Sequence, residues 1–147
     1  MTDVITIGSA TVDHFMTIEQ PFSSIKAGDK ILIKNAYTYS GGSASNTAAA
    51  LSMLGLKVKM LAKLGDDHDA EFIAQEMKKY QVQNICKHRS KHHTDFSTII
   101  SSTKEKDRII YTFKEASRDL ERNDFKQQDV AAPWLYIGSL MGKSFEI

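Results

Sequence analysis

Two short stretches hold residue types that can do chemistry on a small hydroxylated molecule. One is Tyr39-Ser40-Gly41-Gly42-Ser43-Ala44-Ser45-Asn46, a glycine pair opening a small-residue helix. Gly41 and Gly42 can adopt backbone angles closed to other residues and put no side chain between the main chain and a ligand. The amides that follow begin a helix and so offer N–H groups to whatever sits above them. Asn46 falls about one turn in, on the face that looks back toward the glycines. The other is Asp13, six residues past Ile7 and the first apolar run. A carboxylate has two acceptor oxygens and can take hydrogen bonds from two adjacent hydroxyls. The natural guest of such a corner is a small polar molecule bearing hydroxyls.

Other clusters carry less. Cys86, His88, His92 and His93 match no closed tetrahedral set, and Lys87, Arg89 and Lys91 interleave them with positive charge. The Gly138–Ser144 stretch is one residue short of a P-loop and leaves too little chain for its helix. Asp66 and Asp67 read as helix caps.

Positioning Asp13 and the glycine pair requires an alternating α/β chain. Val4–Ile7 is a short β-rich run ended by Gly8, and the spacing predicts a helix over 43–54, stopped by Gly55. A strand follows over 57–64, then a helix over 68–80 with Ala70, Ile73, Met77 and Tyr80 on one face. Trp134–Ile137 is a further buried strand. Two β-rich pairs, about 15–39 and 95–114, interrupt this rhythm, with Ile31, Ile33 and Tyr37 expected on one strand face. The alternation indicates a parallel sheet.

Composition bounds the partners. With 19 basic and 18 acidic residues the net charge is +1, so no electrostatic footprint for nucleic acid is present. No apolar stretch approaches the roughly 20 residues needed to span a bilayer. Asp3 stands where a signal peptide would be basic. Cys86 is the sole cysteine, which rules out an internal disulfide and suits a reducing compartment, so the expected location is cytoplasmic.

Three landmarks in order carry a resemblance: Gly8-Ser9-Ala10-Thr11-Val12-Asp13 after the first strand, Gly41-Gly42-Ser43-Ala44-Ser45-Asn46 opening the first helix, and Gly65-Asp66-Asp67 after the next strand. Together they resemble the PfkB family of carbohydrate kinases, also called the ribokinase family. The resemblance covers the whole chain but only the N-terminal half of a family member. It implies an α/β fold with a ribokinase-like parallel sheet, helices on both faces and a small β-sheet lid built from about 15–39 and 95–114. Residues 1–147 would then be the N-terminal part of one kinase domain, its C-terminal ATP-binding and catalytic part lying outside the chain.

The implied activity is ATP-dependent phosphorylation of a hydroxyl on a small sugar, with ATP and magnesium as cofactors. The family's glycine-alanine-glycine-aspartate motif, which supplies the base and the anion-stabilising helix end, does not occur here. The chain would thus supply an acceptor half-site, hold no catalytic residue and be inactive alone. Carried over residue by residue, Asp13 matches the acid that holds sugar hydroxyls. Gly41 and Gly42 match the glycines whose backbone meets the substrate, and Asn46 the helix asparagine beside them. Thr11 stands where ribokinases often have asparagine and Ser43 where they often have lysine, both differences pointing away from ribose itself. Gly138-Ser139-Leu140-Met141 lacks the acid that ribokinases place near the sugar, which points the same way. Ser97, Ile99 and Tyr111 are the expected lid contacts. Two alternatives stay open: a nucleoside (adenosine-type) kinase of the same family, and a non-catalytic sugar-binding module. The implied partner is a small-molecule sugar or nucleoside, not nucleic acid or membrane, and the lid would suit a homodimer.

Overall fold

In the computed structural model, which describes residues 1–147, the N-terminal apolar run forms β1 (Val4–Gly8), buried along its whole length. The chain continues through β2 (Thr11–Ile18), β3 (Asn35–Gly41), α1 (Ser43–Met53), β4 (Val58–Leu61), α2 (His68–Lys79) and β5 (Gln83–Asn84). It ends with β6 (Phe96–Ser102), β7 (Asp107–Phe113) and β8 (Trp134–Gly138), with short 3₁₀ turns before and after β8.

The strands sort into two sheets. The first is parallel, in the order β5-β4-β1-β8, and β1 runs in register with β4 from Val4–Val58 to Ile7–Leu61. A strand buried on both faces reads as a continuous apolar run, which is why Val4–Ile7 shows no alternation. One face carries both α-helices: Val58, Met60 and Ala62 pack with Ala44 and Ala48 of α1 and with Ala70, Ile73 and Met77 of α2. The small side chains of α1 let it lie close, and Thr6 donates a hydrogen bond to the Ala44 carbonyl from beneath at 3.0 Å. On the other face Ile5, Ile7 and Leu61 meet Leu120, with Phe125, Val130 and Leu140 around them. The helical cover there is made of 3₁₀ turns, including Ala116–Asp119 and Arg122–Asp124. The α2 N-terminus is capped by Asp67, whose Oδ1 accepts the Ala70 N–H at 2.9 Å, and Lys78 and Lys79 sit in its last turn. β8 pairs only with β1, and its Trp134, Leu135, Tyr136 and Ile137 are exposed.

The second sheet has the order β3-β2-β6-β7. β2 pairs antiparallel with β3 and parallel with β6, and β6 and β7 form a hairpin. Three details differ from the sequence expectation. Trp134–Ile137 is expected as a buried strand, but Trp134, Leu135, Tyr136 and Ile137 are exposed because β8 is an edge strand with a partner on one side only. β2 starts at Thr11, so Asp13 sits inside a strand and not in the loop after β1. Val12, Met16 and Ile18 supply the alternating face that extends the strand backward. β3 starts only at Asn35, so Ile31 and Ile33 lie in an irregular run. They line an apolar crevice with Met16, Ile18 and Ile100, whereas Tyr37, paired with Phe15, faces the opposite side.

Candidate functional site

The C-terminal ends of β1 and β8, the start of β2 and the N-terminus of α1 converge on one corner. Gly8 and Gly138 are register partners, and their backbones approach so closely that a Cβ on Gly8 would lie 1.8 Å from the Gly138 carbonyl oxygen. The Ser43 hydroxyl donates to that same oxygen at 2.8 Å. Ser9, buried in the two-residue link between β1 and β2, caps α1 from outside the helix. Its carbonyl accepts the Ala44 N–H at 2.9 Å and its hydroxyl accepts the Ser43 N–H at 3.3 Å. Two amides expected to face a ligand are therefore already taken.

Gly42, at φ +97° and ψ 155°, occupies a conformation that only glycine adopts freely, and a Cβ there would meet the Ser9 carbonyl oxygen at 2.5 Å. Ser45, fully buried, donates its hydroxyl to the carbonyls of Gly41 and Gly42 and so fixes the turn. Ser9 and Ser45 were not singled out from the sequence. Serines that bond to nearby main chain leave no distinctive spacing, although Ser45 lies four residues past Gly41, where back-bonding to a carbonyl is geometrically open.

Asp13 stands directly above this turn. Thr11 donates its hydroxyl to Asp13 Oδ1 at 3.0 Å, and a Cβ on Gly41 would lie 1.9 Å from Asp13 Oδ2. Asp13, Thr11, Gly41, Gly42 and Ser43 are thus brought together. Thr11 is 2% exposed and lies beneath the carboxylate. Asn46, one turn into α1, is exposed, and its side chain bonds to no other residue of the chain. Its N–H closes the first helical turn on the Gly42 carbonyl at 3.0 Å.

Strand register fixes which residues of the second sheet share the Asp13 face. Asp13 is opposite Tyr39 on β3 and Ser97 on β6, and Phe15 is opposite Tyr37 and Ile99. Ser97 and Ile99 therefore share that face, with Ile99 buried. Tyr111 does not. Its β6 partner is Thr98, which places it on the reverse side, in the crevice with Met16, Ile100 and Ile109. Residues Ile110 and Thr112 occupy the Asp13 side of β7, because a shift of one residue in a strand reverses the face. Phe15, Tyr37 and Tyr39 form an aromatic patch beside Asp13, with Phe15 edge-on to Tyr39 at 6.0 Å and Tyr37 stacked on Tyr39 at 6.3 Å.

The remaining polar clusters hold the fold. Asp67 Oδ2 accepts the Thr94 N–H and its Oδ1 the Thr94 hydroxyl, both at 2.7 Å, besides capping α2. Burial alone would raise this carboxyl, but the bonds from Thr94 and Ala70 hold it below the usual value. Asp95, 1% exposed, accepts the N–H groups of Glu115 and Ser117 and the Ser117 hydroxyl. Ser90, His92 and Asp119 are close, but Ser90 gives its proton to Asp119 and not to the imidazole, so no activated serine results. The histidines separate onto different carboxylates, His88 beside Asp124, His92 on Asp119 and His93 beside Asp67. Burial, with Asp124 nearby, pushes the Cys86 thiol up to about 11, which keeps it protonated at neutral pH. No helix is long and apolar enough to cross a membrane.

Comparison with known proteins gives this corner a context. Residues 1–142 match the family described as pfkB family carbohydrate kinase. A ribokinase of Bacillus subtilis (strain 168) is 31% identical over 120 residues, which take in 82% of this chain and 40% of the relative. Among solved structures, the adenosine kinase from Sinorhizobium meliloti superposes with a TM-score of 0.73 at 26% identity, over 92% of this chain and 46% of its own. The ribokinase from Cryptococcus neoformans var. grubii serotype A in complex with ADP gives a TM-score of 0.73 at 18% identity, over 92% of this chain and 40% of its own, a likeness of fold. The chain spans about 40% of the length of the curated ribokinase it matches.

Proposed function

The chain belongs to the pfkB family of carbohydrate kinases, and on that premise we propose that it supplies the acceptor-binding part of an enzyme transferring the ATP γ-phosphoryl group to a hydroxyl of a small sugar. The observation that carries this reading is the Asp13 carboxylate, held by Thr11 and pressed on the bare backbone of Gly41 at the strand ends. Ligands of open α/β sheets bind at such strand ends. Asp13 would accept acceptor hydroxyls, Asn46 would reach the same molecule from α1, and Ser97 and Ile99 would close over it from the second sheet acting as a lid. Holding the acceptor in one pose lowers the entropic part of the barrier.

ATP and magnesium do not fit this corner. The Ser43 and Ala44 amides that could cradle a phosphate are bonded to Ser9, and Asp13, already holding Thr11, is the sole carboxylate at the turn. No step through either group is assigned to these residues. The nucleotide and the base for the accepting hydroxyl belong to the part of the family outside this chain.

A second reading, a nucleoside acceptor, is favoured by one observation: the Phe15, Tyr37 and Tyr39 patch offers rings on which a base could stack. The test is binding of a panel of sugars and nucleosides to the 147-residue chain, followed by amide NMR shifts, with ADP release measured in parallel. Shifts at Asp13, Gly42 and Asn46 are expected, without ADP release. Asp13→Ala should weaken acceptor binding at least tenfold, through loss of a charge-assisted hydrogen bond of about 1.5–3 kcal/mol. Unchanged binding in that variant would remove the centre of the site, and sustained ADP release by the chain would place phosphoryl transfer within it.

A further inference from the structure

We infer that Ser45 is a positioning residue of the acceptor site. It latches the Gly41–Gly42 peptide so that the Gly42 N–H, and not the Gly41 carbonyl, is presented to the acceptor beside Asp13. This deepens the acceptor-site reading above and rests on it.

The glycine pair has two groups that it could present. The Gly41 carbonyl and the Gly42 N–H belong to one planar trans peptide and point in opposite directions, so fixing one fixes the other. Neither glycine carries a Cβ to resist rotation of that plane, which makes it the joint of the turn most open to a flip. Ser45 resists it. Its side chain is fully buried, and its hydroxyl shares one proton between the Gly41 carbonyl and the Gly42 carbonyl, the latter at 3.2 Å. The Gly42 carbonyl also accepts the Asn46 N–H at 3.0 Å, so the next peptide is held without Ser45. For the Gly41 carbonyl, Ser45 is the side chain that holds it.

With that carbonyl drawn down toward the buried serine, the Gly42 N–H points up, to the side on which Asp13 stands. It donates to no acceptor in the chain, whereas the Ser43 and Ala44 amides are given to Ser9 and the Asn46 amide to Gly42. Asp13 as a carboxylate only accepts, and a hydroxyl that gives it its one proton keeps lone pairs that call for a donor. The Gly42 N–H is that donor, so carboxylate and amide together read a hydroxyl in both of its roles. A flipped peptide would set a carbonyl beside the carboxylate, two acceptors before one proton, and leave the hydroxyl oxygen without its donor. Ser45 itself, being buried, touches no ligand and acts through the glycine peptide.

The test uses the 147-residue chain with ribose, fructose and adenosine as probes, their affinities measured by NMR titration. The orientation of the peptide is read, without probe, from nuclear Overhauser contacts of the Gly42 amide proton. The unaltered chain should show one orientation. Ser45→Ala should show contacts of both orientations and bind the preferred probe about fivefold more weakly, the worth of one hydrogen bond between uncharged groups. Alanine is the best helix former, so α1 is kept and the loss does not come from its melting. Ser45→Thr keeps the hydroxyl and should restore both readouts. The inference is overturned if Ser45→Ala binds as the unaltered chain does, if it holds the original orientation alone, or if a folded Ser45→Thr behaves like Ser45→Ala. Should the extra methyl of Ser45→Thr prevent folding, the two readouts of Ser45→Ala decide. If Asp13→Ala abolishes binding while Ser45→Ala leaves it intact, only the role of Ser45 falls. If Asp13→Ala leaves binding intact, or no probe binds, the site reading falls and this inference with it.

Discussion

The two sheets of this molecule are built on opposite terms. In the parallel sheet β1 is buried at every residue, whereas β7 of the second sheet is exposed at every residue. Apart from its exposed edge strand β8, the first holds its geometry by apolar burial on both faces and by backbones packed through glycine. The second is fastened to the first through polar side chains at its root. Asp67 grips Thr94 just before β6, and Asp95 grips Glu115 and Ser117 just after β7. The corner that holds Asp13 lies where the two regimes meet, so its shape depends on a rigid backbone below and on a carboxylate-pinned sheet above.

Substitutions that strike one regime and spare the other can break that contrast. The largest effect is expected from Gly42→Ala on the backbone side. Its conformation costs a side chain about 1–3 kcal/mol, and the contact with the Ser9 carbonyl adds overpacking. A loss of roughly 4 kcal/mol in urea unfolding follows from those two costs. A change under about 1 kcal/mol would mean that the turn yields easily. Next comes Asp95→Ala, which leaves buried amides without an acceptor and should cost about 2 kcal/mol. Hydrogen exchange should then rise at the ends of β6 and β7 while β1 and β4 stay protected. Uniform exchange across both sheets would erase the distinction between them.

The smallest effect is the pH response of Asp67. Its carboxyl is held below its ordinary value of 3.8 in the folded chain, so its bonds to Thr94 and Ala70 contribute fully above that pH. The contribution is lost as pH falls from 3.8 through the lowered folded value. Protection at Thr94 should weaken in that acid range, and Asp67→Asn should flatten the response. An unchanged acid limb in the variant would show that another group governs this root.

Much of this was legible in the chain. Both α-helices lie within a residue of the spans expected from Gly55 and from the Ala70, Ile73 and Met77 stripe, because caps and periodicity are local signals. The parallel sheet followed from apolar runs ending in glycine. What escaped depends on partners distant in sequence. β2 begins at Thr11 because Val12 and Asp13 find neighbours on β3 and β6 about 28 residues (the Val12–Ser40 spacing) and 84 residues (the Val12–Phe96 spacing) away. That Tyr111, an expected lid contact, lies on the face of β7 away from Asp13 was not legible, because alternation says that faces exist but not which one looks toward Asp13. Thr11 and Ser43 were legible as corner residues. That both spend their hydroxyls inside the protein, on Asp13 and Gly138, was not, since a serine or threonine has the same sequence appearance whether its proton goes to a ligand or to a neighbour.

One feature reaches beyond the static arrangement. Only Ser9 and Ala10, both buried, separate the last residue of β1 from the first of β2, and Ser9 is bonded to α1 on the way. A joint that short has no slack. The second sheet is not a flap on a loose tether but an arm rigidly continued from the central strand, with Asp13 two residues from its pivot. Any tilt of the arm moves its far end by many times more than it moves the carboxylate. The carboxylate is therefore the part of the second sheet held most firmly in place against the first.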